Sequence, residues 1–274
     1  AGAFQWDLWL ATVLGLMFAH ATNNLLNDYT DSRRGIDKDN YYRNQYGVHV
    51  LEDGLMSQRQ FWRYLGVTAG IALLLGGWLI SQRSGLTLDL MLAGAFFVLF
   101  YTWPLKYYGL GEPAVLLVWG PLMVGGSYYV LAGQWSWDVA WLSLVFALGP
   151  TTVLFGKHTD KLEADQAKGV NTLPVILGER LSRYSVLAMI AAQYLLCIAL
   201  VLTGSFGWGL LLVLVSLPAL PGLTAVFRQP KPAARPQGYP QEVWPLWFSA
   251  HAFRHTRRFT SLFLVGVVLD TLFF

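Results

Sequence analysis

The sequence predicts an all-α protein, a polytopic transmembrane helical bundle. Three observations lead there. Of 274 residues, 55% are apolar and only 13% are Asp, Glu, Lys or Arg, whereas a soluble domain carries about 25% charged residues. The apolar residues gather in eight runs, each close to the roughly 20 residues needed to cross a hydrocarbon layer. The basic residues fall almost wholly between alternate pairs of those runs.

Residues 6–26 form the first run and end on a polar string. The second, 61–80, and the third, 86–103, are separated by a short link that carries Arg83. The fourth, 114–131, contains Gly125 and Gly126, small residues that permit close helix packing. The fifth and sixth are 139–155 and 185–202. The seventh, 206–227, contains Pro218 and Pro221, which are expected to kink it. The eighth is 259–274. None shows the period-2 alternation of barrel strands, and several begin or end with the Trp or Tyr of an interfacial belt.

Charge placement checks the order. All of the 19 Lys and Arg except Arg83 lie in the first, third, fifth and seventh connections or at the helix edges beside them. Positive-inside bias puts those odd connections in the cytoplasm. On this topology the chain is an integral membrane protein, expected in a bacterial or archaeal inner membrane, with both ends of the chain outside. Mean hydropathy is +0.44. Cys197 is alone, which excludes a disulfide scaffold. A net charge of +3 without a continuous basic stripe argues against nucleic acid. No internal repeat or soluble domain is evident, so residues 1–274 read as one integral-membrane domain. The Pro-rich stretch 229–245 reads as a cytoplasmic loop.

Polar residues concentrate in two places. In the first, His20, Asn24, Asn27, Asp28 and Asp31 share one helix face through i+3 and i+4 steps. The string starts inside the apolar zone, where such groups are costly and mark a cavity or substrate path. The second is the end of the fifth run: Lys157, His158, Asp160, Lys161, Glu163, Asp165 and Lys168. Parity places both strings on the same membrane side. Clustered carboxylates repel unless a cation sits between them, and oxygen ligands suit Mg²⁺ held against substrate phosphates. The residues thus point to a Mg²⁺–diphosphate site at the cytoplasmic mouth of the bundle, with an apolar ligand arriving from the bilayer.

At these residues the chain resembles the UbiA-type intramembrane prenyltransferase superfamily. Asn24-Leu-Leu-Asn27-Asp28-Tyr29-Thr-Asp31, followed by Gly35-Ile-Asp37, is similar to its first Asp-rich motif. The 1,4-dihydroxy-2-naphthoate polyprenyltransferase branch of menaquinone synthesis is the nearest in spacing. Residues 50–57, Tyr101-Thr-Trp-Pro104-Leu-Lys106 with Gly111-Glu112, Gly120-Pro121, 126–130 and 171–178 also fit that branch. The resemblance spans nearly the whole chain. It implies nine helices, with the first motif ending the second; here it ends the first, so a further helix is expected upstream of residue 1. The second motif of the family reads Asp-x-x-x-Asp, but four residues before Asp165 stands Lys161. Either Asp160 and Glu163 supply the carboxylate, or Lys161 contacts diphosphate, or Lys161 pairs with Asp165 at i+4.

The activity implied is transfer of a polyprenyl group from an allylic diphosphate to an aromatic quinone precursor. Asp28, Asp31 and Asp165, with Asp160 as a further candidate, would hold Mg²⁺. Arg33, Arg34, Lys106, Lys161 and Lys168 would donate to diphosphate oxygens. His20, Asn27, Tyr29, Tyr101, Trp103 and Tyr128 would line the prenyl and acceptor pocket, and Asn24 would orient a carboxylate or metal-bound water. Arg33 and Arg34 serve equally as positive-inside anchors, and Tyr101 and Trp103 as belt residues. His251 and His255 lie at i, i+4 without a third metal ligand, so they read as part of a surface amphipathic segment. Rival readings are a benzoate, haem or chlorophyllide acceptor, a non-catalytic membrane or quinone-binding subunit, and a transporter.

Overall fold

Helix formation follows the apolar runs. A computed structural model describes residues 4–36, 50–51 and 53–273; Asp37 and Glu52 of the quoted motifs lie outside them. The helices are α1 (Trp6–Arg33), α2 (Gln58–Gln82), α3 (Leu86–Phe100), α4 (Gly111–Leu117), α5 (Gly126–Ala132), α6 (Trp137–Asp160), α7 (Leu162–Ala167), α8 (Leu173–Leu202), α9 (Leu220–Arg228) and α10 (Phe248–Phe273). Among the described residues there is no sheet, only an isolated bridge between Tyr108 and Asn171. Five helical stretches are long and apolar enough to cross a membrane: 58–82, 111–132, 137–160, 173–202 and 208–228. Leu74, Leu92 and Leu202 are largely exposed on these helices and on α3, as lipid-facing side chains are.

The chain forms two compact units, one of residues 1–105 with 121–136, the other of 106–120 with 137–274. In the first, α1 packs along α2 and also meets α3 and α5. Leu8, Ala11, Leu79 and Val130 make its small core. Polar bonds stitch the helices where hydrocarbon cannot: Thr22 Oγ1 donates to Thr68 Oγ1 at 3.0 Å, and Asn23 Nδ2 to the Val98 carbonyl at 3.2 Å. Arg83 donates to the Val130 carbonyl and to Gln5 Oε1, each at 3.2 Å. Ser57 caps α2 through a reciprocal bond pattern with Gln60.

In the second unit α6 packs on α8 and α10, around Val145, Val186, Ile190, Cys197, Leu210, Phe227 and Phe259. Three spans depart from simple helices. Between α4 and α5 the backbone breaks at Gly120, ahead of Pro121, which has no N–H to continue the ladder. Gly178 breaks α8 with φ +77°, and Ser182 Oγ takes up the Gly178 carbonyl at 2.8 Å. The seventh span is a 3₁₀ segment, Trp208–Ala219, followed by α9; Pro218 and Pro221 stand at the change, so the expected kink is a switch of helix type.

The expected eight spans are five membrane-length stretches among the described residues, and the helix of the eighth run, outside those five, begins earlier than the run itself. α10 starts at Phe248, and Ser249, Ala252, His255, Phe259 and Phe263 form its buried stripe while Arg254, Arg257 and Arg258 face out. His255 is therefore a core residue, not a surface one: its Nε2 lies 3.1 Å from Tyr194 Oη, which is also 2.7 Å from Ser216 Oγ. His251 turns the other way, against Tyr239 and Trp247. The reading of this pair as a surface segment is corrected by that buried stripe.

Candidate functional site

The first polar string occupies the last three turns of α1. Its i+3, i+4 spacing divides its members between two surroundings. His20 and Asn24 are exposed, and Asn24 Nδ2 donates to His20 Nε2 at 3.3 Å. Asn27 and Asp28 are half-buried and Asp31 is buried, at 4% exposure. Asn27 Oδ1 accepts from Thr102 Oγ1 at 3.1 Å, which brings the Tyr101–Trp103 turn to α1. Arg34 stacks over Trp103, 5.1 Å from the ring centre. Asn27, Trp103 and Arg34 thus lie together at the end of α1.

Tyr29 has other company. It lies one residue round the helix from Asp28, about 100°, and its ring stacks on Phe61 at 5.8 Å and meets Trp62 edge-on at 4.8 Å. Arg33 Nε donates to Tyr29 Oη at 3.1 Å and its guanidinium caps the same ring. Tyr29 therefore sits on the α1–α2 contact, and the exposed Arg33 covers it. Tyr128 is half-buried on α5; the neighbouring Tyr129 holds the α2–α3 link, donating to Ser84 and accepting from the Leu86 amide.

The second string lies in the other unit and bends. α6 ends at Asp160, Lys161 leaves helical geometry with φ −114° and ψ 21°, and α7 restarts at Leu162. The bend turns Asp160 away from its sequence neighbours. Its Oδ1 accepts the Phe248 amide and its Oδ2 the Ser249 amide, each at 2.9 Å. Lys231 Nζ donates to the Asp160 carbonyl at 2.8 Å. Expected among metal ligands, Asp160 instead caps the start of α10, where unpaired amides and the helix dipole favour a carboxylate. Gly156, one turn earlier, allows this: a Cβ there would lie 2.7 Å from the Ser249 nitrogen.

Lys161 and Asp165 form an ion pair, 2.8 Å between Nζ and Oδ1, with both side chains about 95% buried. Of the three roles expected for Lys161, pairing with Asp165 is the geometry adopted. Asp165 Oδ2 is buried without a hydrogen-bond partner. Such an orphan costs about 1–3 kcal/mol. Glu163 and Lys168 are exposed on α7 and at its end. Lys106 is buried in a 3₁₀ turn, Leu105–Tyr107.

Two residues of this unit carried no expected role. Glu112, at the start of α4, is 1% exposed, and its Oε1 accepts from His158 Nδ1 at 2.5 Å. Its Oε2 accepts from the Leu173 amide at 3.3 Å, tying down the start of α8. Local periodicity carries no signal for a bond between positions 112 and 158. Among the described residues no three His, Cys, Asp or Glu side chains surround a common point. The donor set still suits a hard cation shared with phosphates: Asp28 and Asp31 lie a turn apart, and one or two carboxylates suffice.

A family model for the UbiA prenyltransferase family matches residues 1–266. The chain belongs to that family. A UbiA prenyltransferase is a transferase, and the apolar helices described above suit one set in a membrane. The chain is 29% identical over 222 residues to the 2-carboxy-1,4-naphthoquinone phytyltransferase of Synechocystis sp., covering 79% of this chain and 70% of that one. It is 29% identical over 224 residues to the 1,4-dihydroxy-2-naphthoate octaprenyltransferase of Escherichia coli, covering 77% and 71%. The fold is similar to that of a UbiA homolog from Archaeoglobus fulgidus bound to DMAPP and Mg²⁺, with a TM-score of 0.60 at 14% identity, covering 96% of this chain and 90% of that one. The UbiA resemblance read from the motifs, naphthoate branch included, agrees with these relatives.

Proposed function

We propose that this prenyltransferase moves a polyprenyl group from an allylic diphosphate to 1,4-dihydroxy-2-naphthoate or a close analogue, on the cytoplasmic face of the membrane. The observation that carries the reading is the end of α1, where Asp28 and the buried Asp31 stand beside Asn27 and the Tyr101–Trp103 turn. The naphthoate-specific relatives support the choice of acceptor.

Asp28 and Asp31 would hold Mg²⁺. When bound, that ion offsets negative charge growing on the departing diphosphate. Arg34 donates to diphosphate oxygens from its seat on Trp103. Fixed donors of this kind act where charge develops and need no reorganisation. The allylic C–O bond breaks, and its electron pair leaves with the diphosphate. The allylic cation is sheltered by the faces of Tyr101, Trp103 and Tyr128 through cation–π attraction. A ring carbon of the acceptor attacks, forming the C–C bond; its carboxylate then leaves as CO₂ and restores the aromatic ring. Asn24, held by His20, orients that carboxylate, and Asn27 fixes the Tyr101–Trp103 turn. Hydrocarbon around the helices excludes the water that would otherwise trap the cation.

The test is transfer from geranylgeranyl diphosphate to 1,4-dihydroxy-2-naphthoate by the chain in liposomes, with an EDTA control and Asp28→Ala. Product that disappears in both controls supports the reading. Diphosphate consumption with a different acceptor, and none with the naphthoate, overturns the acceptor. Product that survives EDTA overturns the metal assignment.

A further inference from the structure

An acidic helix end normally balances its charge with a bound cation. In the second unit that cation is part of the chain. We infer that Lys161 is the resident cation of the second acidic segment, so that this segment binds diphosphate oxygens through an ammonium and holds no divalent ion. The inference rests on the prenyl diphosphate chemistry proposed above.

Each carboxylate at this helix end is accounted for. Asp160 spends both oxygens on the Phe248 and Ser249 amides. Glu163 is exposed on α7. Glu112 is engaged by His158 and by the Leu173 amide. Asp165 has its Oδ1 at 2.8 Å from Lys161 Nζ. One buried oxygen remains, Asp165 Oδ2. A divalent ion placed on it would gain a single carboxylate already neutralised by a neighbouring ammonium, and would be repelled by that ammonium in a weakly screening interior.

The same pair is well made for an anion. An ammonium has three donors. Among the described residues Lys161 Nζ is shown with Asp165 as its partner, and 5% exposure leaves little water for the other two N–H groups. Asp165 aims the ammonium; the free donors match the oxygens of a diphosphate. Asp165 is in this account a positioning residue acting through Lys161.

The count of bound metal tests this. The full chain in detergent is dialysed to equilibrium against Mn²⁺ alone, and bound Mn²⁺ is measured by its EPR signal. Binding of geranylgeranyl diphosphate is measured separately in Mg²⁺. The wild type is expected to bind one Mn²⁺, lost in Asp31→Asn and retained in Asp165→Asn and Lys161→Gln. Lys161→Gln is expected to weaken diphosphate binding at least tenfold, and Lys161→Arg to restore most of it. Lys161→Asp is expected to bind a second Mn²⁺. Two Mn²⁺ in the wild type, one of them lost in Asp165→Asn, overturns the inference while leaving the prenyl transfer reading intact. No Mn²⁺ and no diphosphate binding in a folded wild type overturns both. Should Lys161→Asp fail to fold, the wild-type count and Lys161→Gln decide alone.

Discussion

Glu112 and His158 share a 2.5 Å hydrogen bond in the interior of the second unit. The bond joins the first turn of α4 to the last turn of α6, and through the Leu173 amide it also holds the first turn of α8. One carboxylate thus sets three helix ends around the bend that carries Lys161 and Asp165. Removing the acceptor leaves buried donors on His158 and Leu173 unpaired, a loss of about 1–3 kcal/mol. Glu112→Ala is expected to lower the melting temperature in detergent sharply. Glu112→Gln, which still accepts from Leu173, is expected to lose less than half as much. Equal melting of the two variants would deny Glu112 this role.

Asp160 is expected to matter for order at the start of α10. Asp160→Ala removes both acceptors of the Phe248 and Ser249 amides, and capping losses run at about 0.5–2 kcal/mol. The readout is limited trypsin cleavage after Arg254, in the second turn of α10, faster in Asp160→Ala than in Asp160→Asn, which keeps one acceptor. Unchanged cleavage in both would mean that α10 starts without this cap.

Gly156 is expected to tolerate nothing larger. A Cβ would meet the Phe248 carbonyl carbon and the Ser249 Cα at 2.9 Å. Backbone cannot step aside as a flexible side chain can, and overpacking of this sort costs about 1–3 kcal/mol. Gly156→Ala is expected to match Asp160→Ala in the proteolysis assay, because it pushes the same amides away from the same carboxylate. Gly77→Ala, where a Cβ has open space, serves as the control.

Tyr239 gives a prediction in pH. Its phenol donates to the Leu246 carbonyl at 2.6 Å. Burial first, then the Asp160 carboxylate, pushes its pKa up to about 12 from an ordinary 10. A raised pKa means that the folded chain holds the proton longer than the unfolded chain does. The stabilisation is complete below pH 10 and is lost as pH rises towards 12. Tyr239→Phe is expected to flatten the alkaline fall in stability over that window. A fall of unchanged steepness would place its origin elsewhere.

Asn27 and Thr102 are expected to act on substrate handling more than on folding. Thr102→Val removes the bond that holds the Tyr101–Trp103 turn against α1. If that turn shelters the reacting prenyl group, kcat falls several-fold with little change in melting temperature, and Asn27→Ala adds little to Thr102→Val. Additive losses would show that the two residues act apart.

Much of this was legible in the sequence. The apolar runs foretold the helices, five of which are long and apolar enough to cross a membrane among the described residues, and the polar string at 24, 27, 28 and 31 falls on the single helix its spacing implied. What was not legible has physical reasons. α10 starts before its apolar run because Arg254, Arg257 and Arg258 occupy its outer face and mask the buried stripe behind them. Asp160 reads as a metal ligand from composition, since no local pattern says that an amide distant in sequence will take each oxygen. The Glu112–His158 bond is equally non-local. Lys161 was legible as a departure, but only the bend after Asp160 chooses its partner.

Lys231 and Phe248 both terminate on Asp160, so the chain between them is a closed loop whose two feet stand on one residue. Lengthening it costs little, about 0.6 kcal/mol for each doubling, and Ala233 and Ala234 are exposed at its rim. An epitope or a fluorophore grafted between those two alanines would ride on the protein without disturbing the helix ends below, which makes this loop the natural handle for imaging or capturing the enzyme in its membrane.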